Sequence, residues 1–112
     1  MVTKTMTRGV EFFQTWRWVY GDAPKNLTDY TVSIQLRPSE KSSTLIASFD
    51  RTSEYVTVDD LDGSVSLNLP PSVTLTYTFN SAVIDCWLVN TDDTDGERSP
   101  TDKIILNWGV AR

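Results

Sequence analysis

Tyr30-Thr31-Val32-Ser33-Ile34-Gln35-Leu36-Arg37 is the stretch whose reading decides the fold. Val32, Ile34 and Leu36 alternate strictly with Thr31, Ser33 and Gln35. Successive side chains of an extended strand point to opposite faces, so this segment has one dry face and one wet face. Pro38 ends it, because proline cannot donate to a central ladder. The same period extends outward in both directions. Upstream, Glu11 to Tyr20 places Phe12, Trp16, Trp18 and Tyr20 on one face, interrupted by Gln14, and a turn follows at Gly21-Asp22-Ala23-Pro24. Downstream, after a polar loop at Ser39–Ser43, Leu45, Ala47 and Phe49 make a third strand. Val56 and Val58 make a fourth, beyond the Asp50–Glu54 loop. Asp62-Gly63 is a hairpin signal, since glycine tolerates the positive φ that tight hairpins need. It leads into Ser64 to Leu69, with Val65, Leu67 and Leu69 facing inward. Pro70-Pro71 breaks the ladder. From Ser72 to Phe79 the residues Val73, Leu75, Tyr77 and Phe79 alternate, which predicts a weak strand, with a short helix or ordered loop as the alternative. The last hairpin pairs Ala82–Asn90 with Lys103–Val110 around a long tip, Thr91 to Asp102, rich in Asp, Ser, Gly and Pro.

About seven strands in 112 residues, with 39% hydrophobic content, suit one domain with a modest core. Four Trp, four Tyr and four Phe make that core aromatic-rich. The expected class is all-β: an immunoglobulin-like two-sheet antiparallel sandwich closed by Greek-key connections, although the immunoglobulin Cys pair is missing. Residues 1–9, rich in Thr and lacking a period-two apolar face, read as an extended N-terminal arm outside the core. Residues 10–112 read as the single sandwich domain. No internal repeat or low-complexity tract is present.

The inventory of chemical groups is thin. The chain has no His, which removes the commonest general base, the Ser-His-Asp arrangement and any Cys-His pairing. Gly9, Gly21, Gly63, Gly96 and Gly109 are scattered singly, so no glycine-rich loop cradles phosphate. Cys86 is the only cysteine; it can form no internal disulfide and supplies too few ligands for zinc. Within the apolar run Val83 to Val89 it reads as a buried, inert thiol. Nothing places a pair of carboxylates across a cleft for glycoside hydrolysis. The expectation is no enzyme activity, no cofactor and no metal. Calcium at the tip is weighed on Asp92, Asp93, Asp95, Gly96, Glu97 and Asp102, but Thr91 stands at the first ligand position and Asp102 at the twelfth. The preferred reading is a solvated acidic tip. Asp59-Asp60-Leu61-Asp62 reads likewise as a charged turn.

Charge bears on partners. The net charge is −5, split into +2 over residues 1–37 and −7 over 38–112. With no basic block to neutralise successive phosphates, nucleic acid is not an expected ligand. The start of the chain lacks the apolar run of a secretory signal, and no segment approaches a membrane span, so the expectation is a soluble protein made in the cytoplasm. Outward apolar residues are more informative. If Ala82, Ile84, Cys86 and Leu88 point inward, then Val83, Trp87 and Val89 point outward. With Ile104, Leu106, Trp108 and Val110 inward, Ile105 points outward. Trp87 beside Val and Ile is what a partner-binding face looks like, unless a loop of the same chain covers it. Phe13, opposite the aromatic face of its strand, is read the same way. The candidate partner interface is therefore Trp87, Val89, Ile105, Val83 and Phe13.

The order of these features resembles a family of small bacteriophage virion proteins. The resemblance is carried by Thr7-Arg8-Gly9-Val10-Glu11-Phe12-Phe13, by Trp16-Arg17-Trp18, and by Pro24-Lys25-Asn26-Leu27-Thr28-Asp29-Tyr30 running on into Thr31–Arg37. Asn26 stands where that family usually has Asp, and Asp29 where it has Gly. Later landmarks follow in order: Asp62-Gly63-Ser64-Val65-Ser66-Leu67, Ile84-Asp85-Cys86-Trp87-Leu88, Asp95-Gly96 and the closing Val110-Ala111-Arg112. Trp87 occupies the family's outward Glu position. The family is similar in plan to the N-terminal β-sandwich modules of phage baseplate upper proteins, which hold receptor-binding parts. What the resemblance implies is a virion location, no catalysis, and multiple copies in a symmetric assembly with tail, baseplate, fibre or capsid proteins as partners. The expected role is a tail, baseplate or fibre-attachment adaptor, with the arm as tether. The rival expectations are a capsid decoration protein, and a carbohydrate- or cell-surface-binding module in which Trp16, Trp18 or Trp87 stacks on sugar rings.

Overall fold

A computed structural model describes residues 2–20, 23–90 and 96–108. Among these residues, eleven strands and one short helix follow in chain order: β1 (Thr3–Thr7), β2 (Phe12–Arg17), β3 (Val19–Tyr20), β4 (Ala23–Pro24), β5 (Tyr30–Arg37), β6 (Ala47–Asp50), β7 (Val56–Asp59), β8 (Ser64–Leu69), α1 (Pro71–Thr74), β9 (Ser81–Asn90), β10 (Gly96–Arg98) and β11 (Asp102–Asn107). The protein is all-β and sandwich-like. The larger sheet runs β1-β11-β9-β5-β6, with β10 also on β9; the smaller runs β2-β8-β7, and β3 and β4 form a two-stranded ribbon.

The alternation over residues 30–37 becomes β5 residue for residue. It pairs antiparallel with β9 from Tyr30↔Asn90 to Arg37↔Val83, and with β6 from Ser33↔Asp50 to Leu36↔Ala47. Val32, Ile34 and Leu36 face Val65, Leu67 and Leu69 of the smaller sheet across a core that also holds Phe12, Trp16, Leu27, Ile84, Cys86, Leu88 and Ile104. Each such aliphatic side chain withdrawn from water contributes about 1.5–3 kcal/mol. The single apolar face of each strand is thus what joins the two sheets.

Three expectations are corrected. The arm at residues 1–9 is largely a strand of the sheet: β1 lies parallel to β11 from Thr3↔Lys103 to Thr7↔Asn107, and Met6 is buried in the core. An edge strand over the rim of a core needs only one apolar anchor, so the mainly polar Thr3-Lys4-Thr5-Met6-Thr7 shows no apolar period. The weak strand predicted over 72–79 is instead α1 followed by irregular chain, because Pro71 opens a helical turn at a position where its missing N–H costs nothing. Thr74 is buried there; its hydroxyl donates to the Val10 carbonyl (2.9 Å) and accepts from the Gly9 N–H (3.1 Å). The inward expectation for Trp108 also fails: β11 stops at Asn107, and the indole is exposed under the Arg8 guanidinium, 4.7 Å from the ring centre.

The last hairpin exists, but its return strand is broken. Arg98 stands opposite Trp87 and Asp102 opposite Ile84, so residues 99–101 face only Asp85 and Cys86. This is a one-residue bulge. Ser99 repairs the ladder: its N–H donates to the Cys86 carbonyl and its hydroxyl accepts from the Cys86 N–H, each at 2.8 Å. The turn at Gly21-Asp22, residues 91–95 of the Thr91–Asp102 tip, which include Asp92, Asp93 and Asp95 of the weighed calcium reading, and Val110 lie outside the described residues.

Candidate partner and ligand surfaces

The outward residues of β9 begin with Val83 and Asp85 and continue to Trp87 and Val89. Val83 is buried, contrary to the expectation that it is exposed. Its neighbours in register are Arg37 of β5 and Lys103 of β11, whose long stems flank the short valine on the same face. Trp87 is half-buried and tied down rather than stranded in water. Its indole N–H donates to Asp85 Oδ1 (2.9 Å) and the Arg98 guanidinium lies 4.9 Å from its ring centre. Val89 is half-buried, whereas Ile105 is 42% and Phe13 59% exposed. These residues do not form one patch. Phe13 is on the smaller sheet, and Ile105 pairs with Ser81, six residues along β9 from Trp87, a separation of roughly 20 Å.

Asp85 is the residue that sequence reasoning missed. It is 0% exposed; its Oδ2 accepts from Arg37 Nη2 (2.7 Å) and the Thr101 hydroxyl (3.3 Å) and forms an ion pair with Arg98 Nε at 3.2 Å. One carboxylate thus serves two guanidiniums, and β5, β9 and the bulge are fastened together at one point. Arg37 is itself buried, and its Nε has no partner. The signal was present: a lone acid inside the apolar run from Ala82 to Val89, where charged residues are rare unless paired. The bulge that brings Arg98 and Thr101 onto it has no counterpart in the local sequence pattern.

The bulge also forms one wall of an open depression of about 390 Å³ lined by Trp16, Arg17, Trp18, Arg98, Ser99 and Pro100. The opposite wall is set by backbone. The Trp18 N–H donates to the Gly63 carbonyl (2.8 Å), and the Lys25 N–H donates to the Trp18 carbonyl (3.0 Å). Trp16 lines it as well, with its indole N–H buried and without an acceptor. Arg17 is paired with Asp62 at 3.0 Å in an exposed ion pair, which holds it only weakly.

The charged turn behaves as expected. Asp62 is held by Arg17, Asp60 by Arg51 at 2.8 Å, and Asp59 accepts from the Asp62 N–H. Among the described residues no three acidic, His or Cys side chains gather as a metal site, and no helix is long and apolar enough to cross a membrane.

Cys86 is fully buried, and burial first, with the neighbouring Asp85 charge second, pushes its thiol up to about 12. A thiol whose folded pKa lies above its unfolded value binds its proton more tightly when folded. Its contribution to stability is therefore complete below the unfolded value, near 9, and is lost as pH rises toward 12. At pH 8 the native protein should react with a thiol reagent at least about 100-fold more slowly than the urea-unfolded chain. Comparable rates in the two states would show the thiol to be reachable in the fold.

Compared with protein-family models and with curated proteins, the chain gives no match. The class that the structure defines is an all-β, sandwich-like domain with an Arg–Asp–Arg cluster on the outer face of its larger sheet, in which Arg37 and Asp85 are buried and Arg98 is exposed.

Proposed function

We propose that this chain is a non-enzymatic structural protein of a bacteriophage particle, an adaptor in the tail, baseplate or fibre-attachment region, built on an immunoglobulin-like plan. The plan is supported by strand order. The smaller sheet β2-β8-β7 corresponds to B-E-D, and β6-β5-β9-β11 to C′-C-F-G, of the variable-type arrangement. The adaptor reading is carried by one observation above the others: β1 ends the larger sheet with its outer edge unpaired by any described strand. A partner's extended segment adds to such an edge through backbone hydrogen bonds. Exposed Phe13 and Ile105 offer apolar contacts on the two faces, and many copies of a modest contact sum to durable attachment.

The test is made on particles. The chain is expected in purified virions at a fixed copy number, lower for a tail component than for a capsid decoration. Phe13→Glu and Ile105→Glu are expected to change stability by less than about 0.5 kcal/mol, being exposed substitutions, while reducing incorporation into particles. A stable protein that purified particles never contain would refute the reading.

A further inference from the structure

The depression between β2 and the bulge has features that the adaptor role does not use. Trp18 is half-buried and Trp16 only 7% exposed, and Arg17 and Arg98 line the same opening. The charge balance there is uneven. Asp85 is shared by Arg37 at 2.7 Å and Arg98 at 3.2 Å, so this cluster keeps one positive charge in excess within a protein whose net charge is −5. Arg98 is the looser and more exposed of the two partners, and it is the one that lines the opening. Arg17, across from it, is held only by the exposed Asp62.

We propose that this depression binds a carboxylated sugar ring, a uronic or sialic acid residue of a glycan. The two parts of such a ligand match the two parts of the site. A pyranose presents an apolar C–H face that lies against tryptophan. Its carboxylate is recognised by the planar fork of a guanidinium, which forms charge-assisted and often bidentate hydrogen bonds. A volume of about 390 Å³ lies at the small end of ligand sites and suits one ring with its neighbour in solvent. Arg98 is the expected carboxylate partner and Trp18 the expected platform. Bound carboxylate takes up the excess charge that Asp85 leaves on its two arginines. The proposal stands on these residues alone and is independent of the adaptor reading.

The experiment is a titration of the full chain, labelled with ¹⁵N, following the Trp16 indole N–H and the Arg98 Nε–H by NMR. The probes are a glucuronic acid oligomer, N-acetylneuraminic acid, a neutral glucose oligomer of equal length, and acetate. At least one acidic saccharide is expected to shift both signals with Kd of about 1 mM or tighter, at least tenfold tighter than the neutral oligomer and acetate. Which of the two acids does so identifies the source. Arg98→Gln is expected to weaken that binding at least tenfold while leaving the remaining spectrum in place, as is Trp18→Ala. If Trp18→Ala fails to fold, Arg98→Gln alone decides. Silence of both signals toward both acids at about 20 mM overturns the proposal. So does equal binding of the neutral oligomer, or acetate reproducing the full shift, which would mean simple anion binding.

Discussion

Asp85→Ala is expected to lower the unfolding free energy by about 3–5 kcal/mol, the cost of breaking a buried ion pair from one side. That is a large part of the roughly 5–15 kcal/mol typical of a whole domain. The cost arises in what remains. Arg37 is only 8% exposed and keeps a charge with one carbonyl contact, to Glu40 at 3.1 Å, while its Nε is already without a partner. The Trp87 and Thr101 donors lose their acceptor in the same substitution. Asp85→Asn keeps the shape and one acceptor but removes the charge, and is expected to recover only part of the loss. Arg98→Ala is expected to cost about 1 kcal/mol or less, because that side chain is 39% exposed and water screens the pair. Urea unfolding measures all three as shifts in midpoint at constant slope. An Asp85→Ala loss below about 1 kcal/mol would mean that the cluster does not fasten the sheet.

Gly63→Ala is expected to cost about 2–5 kcal/mol, for two reasons that add. The residue has φ of +70°, a left-handed conformation that strains an L side chain. A Cβ there would also lie 2.7 Å from both the Trp18 and the Lys25 carbonyl oxygens and 3.0 Å from the Lys25 nitrogen. All three atoms are backbone, so no rotamer change relieves the clash. Relief requires the β3–β4 ribbon to move off the β7–β8 hairpin, breaking the bond from the Trp18 N–H to Gly63. Trp18 forms part of the depression, so the same substitution is expected to displace the signals that report ligand there. Thermal unfolding gives the stability term and the Trp16 indole N–H resonance the displacement. A Gly63→Ala protein with unchanged melting temperature and spectrum would show that the ribbon has slack.

The two substitutions differ in how visible their causes are along the chain. Glycine after aspartate, between alternating runs, announces a turn with positive φ, and Gly63 is found there. The loop is four residues long, between Asp59 and Ser64, rather than two. That Gly63 also touches the ribbon at 18–25 is not readable locally, because those residues lie far away in sequence. Asp85 shows the reverse. An acid in an apolar run signals that a partner must exist, but Arg37 comes from another strand and Arg98 from beyond a long tip. Val83 was misplaced for a similar reason: alternation states which face a side chain takes, while its exposure depends on how long its cross-strand neighbours are.

What the sequence by itself determined is the set of strands whose apolar residues alternate, because a period of two needs only neighbours along the chain to be expressed. From it follow β5, β8 and β9, their inward faces and the all-β class. Only the tertiary structure decided that Thr3–Thr7 joins the sheet, that the return strand bulges at Ser99–Thr101, and that Arg37, Asp85 and Arg98 meet. Each of these is a contact between residues far apart in the chain, chosen by packing and by the need to pair buried charge, and no local pattern encodes either.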